Sequence, residues 1–191
     1  MDGALNTAIA DPADLEMLAS VFGPDLHPPG PLGWDAVHEF EARHGIVLPE
    51  PYRSFVATVT AGGSQLGPPD YGLLALGELP DDWGTGRAQR VLAEPFPLTE
   101  SWVWEGDEDD DGEPVEPPDA VFDHGSIVLG TDGCGMYWHL IVTGEHRGHV
   151  WTISDVGAQP FGARFGQTSG QPGFAGWVRH WHEGKDWFDL L

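Results

Sequence analysis

Apolar residues recur at helical spacing in four segments of this chain and at strand spacing through much of its second half. Leu15, Leu18, Ala19 and Phe22 stand at i, i+3, i+4 and i+7. Asp11-Pro12 supplies an N-cap and a proline for the first helical position, and Gly23-Pro24 stops the run, so the spacing predicts a helix over 11–22. A stretch with Pro24, Pro28, Pro29 and Pro31 follows as a linker or extended loop. Trp34, Val37 and Phe40 then mark the inward side of a second helix that Gly45 ends. A third opens at Leu48-Pro49, carries Tyr52, Phe55, Val56 and Val59 on one face, and stops at Gly62-Gly63. The last, with Phe174, Trp177, Val178 and Trp181, closes before Gly184.

Between the third and fourth helices the period changes. Residues 71–76 and 101–104 each fit a strand, and 81–93 fits a loop with at most one helical turn. An apolar run over 126–129 leads to a hairpin-turn signal at Asp132-Gly133. Met136, Trp138, Leu140 and Val142 then alternate with Tyr137, His139 and Ile141. After a polar turn holding Gly144 and Gly148, residues 150–153 form the next strand. Helices, then an antiparallel meander, then a helix define an α+β fold: N-terminal helices, a central antiparallel twisted sheet and a C-terminal helix packed on the sheet. The expected organisation is an N-terminal helix and linker over 1–30 and one α+β domain over 31–191, with an acidic loop at 105–119.

Charge changes this picture more than any other property. The 191 residues include 31 Asp and Glu against 8 Lys and Arg, a formal net charge of −23. No Lys or Arg occurs over 91–146, a span with 14 carboxylates that includes the run from Glu105 to Glu113. Such a field opposes compaction by self-repulsion but speeds the approach of a cationic partner. It argues against nucleic acid as a direct ligand, because phosphate binding wants clustered Lys and Arg. Cys134 is the single cysteine, so no internal disulfide forms and a reducing cytoplasm is the expected location. No secretory signal and no apolar run of membrane-spanning length is visible, so no membrane partner is expected.

Three sharper chemistries bear on particular residues. Asp107, Asp109, Asp111 and Gly112 match the opening of a calcium-binding EF-hand loop. The twelfth position is Pro118 instead of Glu, and Pro114 interrupts the loop, so no metal is expected. Cys134 between Gly133 and Gly135 has Asp132 where a nucleophile elbow needs glycine, and its acidic surroundings disfavour a thiolate. His146 and His149 flank a turn, His180 and His182 sit two apart on a helix, and His139 fits a packed, hydrogen-bonded histidine; none makes a zinc set. No catalytic residue and no cofactor is expected.

Two segments resemble the SMI1/KNR4 family of the SUKH superfamily. One is Leu48-Pro49-Glu50-Pro51-Tyr52-Arg53-Ser54-Phe55 followed by Gly62-Gly63; the other is Ile127-Val128-Leu129-Gly130-Thr131-Asp132-Gly133-Cys134-Gly135 leading to Val150-Trp151. Many members carry Asn where this chain has Ala61, and the 11–22 helix and the acidic insertion fall outside the shared pattern. The resemblance implies an α+β fold without shared catalytic apparatus. Leu48, Pro49, Tyr52, Phe55, Gly62, Gly63, Gly130, Asp132, Gly133 and Gly135 are then fold residues, with the three hairpin glycines supplying positive φ. It also implies a protein-binding immunity role against a cognate toxin, which the acidity here would match to a basic, nuclease-like partner. The partner-binding residues expected on that reading are Asp107, Glu108, Asp109, Asp110, Asp111 and Glu113, with Trp102 and Trp104 as aromatic anchors. The alternative is a regulatory or scaffold module with an endogenous partner, as fungal relatives imply; a calcium-binding or enzymatic domain is a third reading.

Overall fold

Every residue of the strand 137–141 is buried, so the sheet built around it is covered on both faces. The computed structural model describes residues 9–23, 29–63, 67–69, 71–84, 90–104, 119–162 and 172–187. Helices α1 (Pro12–Val21), α2 (Trp34–His44) and α3 (Tyr52–Thr58) come first. Strand β1 (Trp102–Val103) and the short helix α4 (Asp119–Asp123) precede β2 (Ser126–Gly133), β3 (Met136–Ile141), β4 (Val150–Ile153) and β5 (Gly157–Pro160), and α5 (Phe174–His182) follows. The five strands form one sheet in the order β1-β5-β4-β3-β2, all neighbours antiparallel. The fold is α+β, with helices before the meander and one after it.

Alternation along the strands divides the interior in two. Ile127, Leu129, Trp138, Leu140 and Val150 face the helices, where Tyr52, Phe55, Phe174 and Trp177 complete the larger core. The rings of Tyr52 and Phe55 lie 4.9 and 5.1 Å from Phe174, and Trp138 lies 5.7 Å from Trp177. Helix α1 belongs to this core: Phe22 meets Phe55 at 5.0 Å, and Asp14 pairs with Arg179 of α5 at 3.1 Å. Val128, Tyr137, Ile141, Trp151 and Ile153 face the other way, onto α4, Trp83 and the 96–104 segment. Trp83 packs on Tyr137 at 4.8 Å and Phe96 on Trp151 at 5.1 Å.

Glu41, on the inner side of α2, is 6% exposed and holds the connection between α2 and α3. Its Oε1 accepts hydrogen bonds from the Leu48 backbone N–H (2.8 Å) and Arg53 Nε (2.7 Å), and its Oε2 accepts from the Arg53 guanidinium (2.9 Å). A bidentate, charge-assisted pair of this kind satisfies the carboxylate that burial would otherwise penalise. Arg53 also lies 5.3 Å above the Trp34 ring. From the far side, Arg147 in the β3–β4 turn donates to the carbonyls of Val47 (2.8 Å) and Leu48 (3.2 Å).

Several elements differ from the sequence expectation. Helix α3 begins at Tyr52, not at Leu48-Pro49, because a proline at 51 disfavours the helical conformation at Glu50. Leu48 is instead a buried loop residue, 1% exposed. Residues 71–76 are no strand: the Leu74 N–H donates to Leu129 and the Gly63 N–H to Leu73, while positive φ at Gly72 and Gly77 breaks the extended run. Asp132 and Gly133 lie in β2, and the hairpin turns on Cys134 (φ 53°) and Gly135 (φ 74°), both left-handed as a type I′ turn demands. Asp132 accepts from Trp138 Nε1 at 2.7 Å, a strand-to-strand tie. Gly130 does not need positive φ; a Cβ there would stand 2.3 Å from Pro69 Cδ, so close packing requires it. Gly62 needs both, since its φ is 82° and a Cβ would lie 2.3 Å from the Leu74 carbonyl oxygen. Trp34 is 39% exposed under Arg53 and not an inward residue.

The ties around Glu41 predict unequal effects for two glutamates on one helix. Glu41→Gln leaves Arg53 without its countercharge, and urea denaturation is expected to show a loss of about 2–4 kcal/mol. Glu39→Gln breaks the Arg43 pair, whose side chains are 64% and 72% exposed, and is expected to change nothing measurable.

The β3–β4 turn generates a pH prediction. His149 Nδ1 lies 3.3 Å from His146 Nδ1, and burial first, then the His146 charge, holds the His149 imidazole below its ordinary value of 6.5. The unfolded chain therefore binds this proton at higher pH than the folded one. Stability from neutral His149 is fully present above 6.5 and declines as pH falls through the window beneath it. Thermal melts between about pH 7 and 5.5 should fall with acidification, and His149→Asn should flatten that slope.

Candidate partner-binding surface

Register aligns Trp102 of β1, Ala158 of β5, Ile153 of β4, Tyr137 of β3 and Thr131 of β2 in one row across the sheet. The row spans four strand spacings, roughly 19 Å. At its β1 end the chain leaves the sheet at Trp104 and enters the acidic run. Asp107, Glu108, Asp109, Asp110, Asp111 and Glu113 lie outside the described residues, as does the EF-hand-like spacing. The two tryptophans at the root of that run have different environments. Trp104 is 2% exposed and donates its Nε1–H to the Asp155 carbonyl, so it is a core residue. Trp102 is half-buried and meets Trp104 edge-on at 5.6 Å, beside Val103 (57% exposed) and Val156 (40% exposed). An aromatic and two aliphatic side chains thus open to solvent where the dense charge begins.

At the β2 end the same row closes on a groove of about 530 Å³ between the 71–82 segment and Thr131 and Gly133. Tyr71 forms one wall and the exposed Glu78, Leu79, Asp81 and Asp82 the other. Sequence reasoning passed over this groove because 71–76 looked like a strand and 81–93 like an undifferentiated loop.

Positive charge is committed elsewhere. Arg87 and Arg164 lie outside the described residues. Each of the other six bases has a partner: Arg43 with Glu39, Arg53 with Glu41, Arg179 with Asp14, Lys185 with Glu183, Arg90 with the Ser126 carbonyl and Arg147 with the Val47 carbonyl. No described Lys or Arg lines the groove or the Trp102 corner.

Arg90 anchors a buried polar cluster with the residue types of a catalytic set. Its guanidinium donates to Ser126 O (2.6 Å) and Ser126 Oγ (3.1 Å), and Ser126 Oγ lies 2.9 Å from His139 Nδ1. Desolvation pushes the Arg90 pKa down to about 10, and the Asp123 carboxylate counters it. Ser126 and His139 are wholly buried and Asp123 is 2% exposed, under Trp83, which lies 5.2 Å from Arg90 and 5.8 Å from His139. A serine already receiving an arginine hydrogen bond, with no route to solvent, is unsuited to attack a substrate. The cluster instead pins residues 90–92 to the sheet, next to the Val91–His124 bridge. Sequence alone gave no hint of it, because Arg90 and Ser126 meet only through the fold.

Cys134 is exposed at the hairpin tip, and the described residues contain no group of three or more His, Cys, Asp or Glu able to hold a metal ion. Among the described residues no helix is long and apolar enough to cross a membrane.

Neither the curated proteins nor the solved structures include a match to the chain. The model of the SMI1/KNR4 family (SUKH-1) matches residues 31–167, from just before α2 to just beyond β5. That span holds the Glu41-tied α2–α3 pair and the whole meander, well over half of the sequence, and the chain therefore belongs to the SMI1/KNR4 family (SUKH-1).

Proposed function

We propose that the chain is a non-enzymatic immunity protein that binds and neutralises a cognate basic toxin of nuclease type in the cytoplasm. The observation that carries this reading is the charge balance: 31 acids against 8 bases, in a family member whose described bases all have partners within the chain. A nuclease must present a cationic face to phosphate, and the same face is attracted to carboxylates. The acidic run from Asp107 to Glu113 steers the encounter, and Trp102, half-buried at its root, supplies apolar contact. Trp104 holds Trp102 in place from below. Neutralisation is steric: the acidic protein covers the toxin's substrate face and needs no catalytic group of its own.

The test is capture of the neighbouring gene's product by the purified chain, with growth rescue when the two are co-expressed. Association is expected to slow about 10- to 100-fold between low and high salt, and comparably when Asp107, Glu108, Asp109, Asp110, Asp111 and Glu113 are replaced by Asn or Gln. Binding and salt response that survive those substitutions unchanged would remove the acidic run from the interface. Absence of any toxin-like neighbour, with no rescue, would turn the reading towards an endogenous partner.

A further inference from the structure

We infer that the groove between the 71–82 segment and the end of β2 seats an arginine side chain of the partner protein. The inference rests on the protein-binding reading above and adds to it a second, pre-shaped contact. Tyr71 is 67% exposed, the most open Phe, Tyr or Trp among the described residues; Trp34, the next, is 39% exposed and lies under Arg53. Its ring is nevertheless located: Gly133 presents bare backbone beneath it, with Tyr71 Cε2 3.2 Å and the hydroxyl 3.3 Å from where a Cβ would stand. A ring held to a glycine along its Cε2–hydroxyl edge, in a residue this open, leaves aromatic surface to solvent on which a guanidinium stacks.

The opposite wall carries Glu78, Asp81 and Asp82, all exposed, with Leu79 (40% exposed) and Pro80 between them. Its backbone is fixed at three points. The Glu78 N–H donates to Ala75 (3.0 Å), the Trp83 N–H to Pro80 (2.9 Å), and the Tyr137 hydroxyl to the Asp82 carbonyl (2.9 Å). Little loop ordering therefore remains to oppose binding. No described Lys or Arg lines the groove. An aliphatic stem lies against Leu79, a planar cation lies over Tyr71, and three carboxylates receive its donors; arginine matches all three features, and lysine lacks the planar fork. About 530 Å³ admits the side chain with the turn that carries it. The Trp102–Thr131 row puts this groove at the end of the sheet opposite the root of the acidic run, a second contact separate from it.

The probe is the tripeptide acetyl-Gly-Arg-Gly-amide, titrated into the ¹⁵N-labelled full chain, with its citrulline and lysine counterparts. Saturable amide shifts are expected at Tyr71, Gly72, Leu79 and Gly133, weakened about tenfold with citrulline and by E78Q/D81N/D82N. Tyr71→Leu is expected to weaken them about threefold. Equal response to citrulline, or shifts spread over the acidic surface with none saturating at these four amides, would overturn the inference. With the toxin in hand the two proposals separate. If E78Q/D81N/D82N binds it as tightly as the wild type, the groove assignment falls and the immunity reading stands. If no neighbour's product binds at all, the immunity reading falls and the peptide titration still decides the groove.

Discussion

A single buried carboxylate sets the geometry on which the helical layer depends. Glu41 grips the Leu48 amide and both sides of Arg53, which locks the loop that turns α2 into α3. That loop delivers Leu48, Tyr52 and Phe55 to the sheet, and their rings then meet Phe174 of the last helix. Arg147 completes the arrangement from roughly a hundred residues away by donating to the carbonyls of the same loop, so the meander and the helices are joined by polar contacts as well as by packing. On the opposite face Arg90 does the same for residues 90–92 through Ser126. In both places the cation is an internal fastener, and arginine suits the task because its fork satisfies several acceptors at once.

This use of arginine explains how so acidic a chain stays folded while its surface remains strongly negative. Carboxylates on loops repel each other in water, where screening limits the cost. The two arginines that join the layers are in drier surroundings, where their hydrogen bonds are stronger. The field that reaches solvent is therefore not much reduced by the bases present. Recognition of a cationic protein and retention of the fold draw on different parts of one charge distribution.

How much of this was legible in the sequence depended on range. Helix α1 declared itself through Asp11, which caps Ala13 at 2.9 Å, and α5 through its four apolar positions. The strands β3 and β4 followed from alternation, and the paired motifs around Tyr52 and Gly133 carried the family resemblance that the 31–167 match supports. What was missed required partners far away in sequence. Strand β5, reading Gly-Ala-Gln-Pro, has no intrinsic strand preference and exists because β4 and β1 flank it. Glu41 carries no local signal that sets it apart from the other acids of α2, and Trp34, expected inward, lies instead under the Arg53 that Glu41 binds. The groove was invisible for the same reason, since its lining joins the 71–82 segment to Thr131 and Gly133, roughly fifty residues further along the chain.

Strand β2 is the outermost strand on its side of the sheet, and Pro69 crosses it at Gly130 so closely that no side chain fits between. Just before that crossing, Leu129 already gives its carbonyl to Leu74. A strand from another molecule would find this border already taken at Leu129 by the Leu74 N–H, with Pro69 packed over Gly130 beside it. The border is thus closed to ladder growth, the usual route by which exposed sheet edges recruit copies of themselves into aggregates. A partner arriving here must be read by its side chains, whose identity can be selective, and not by its backbone, which every protein shares.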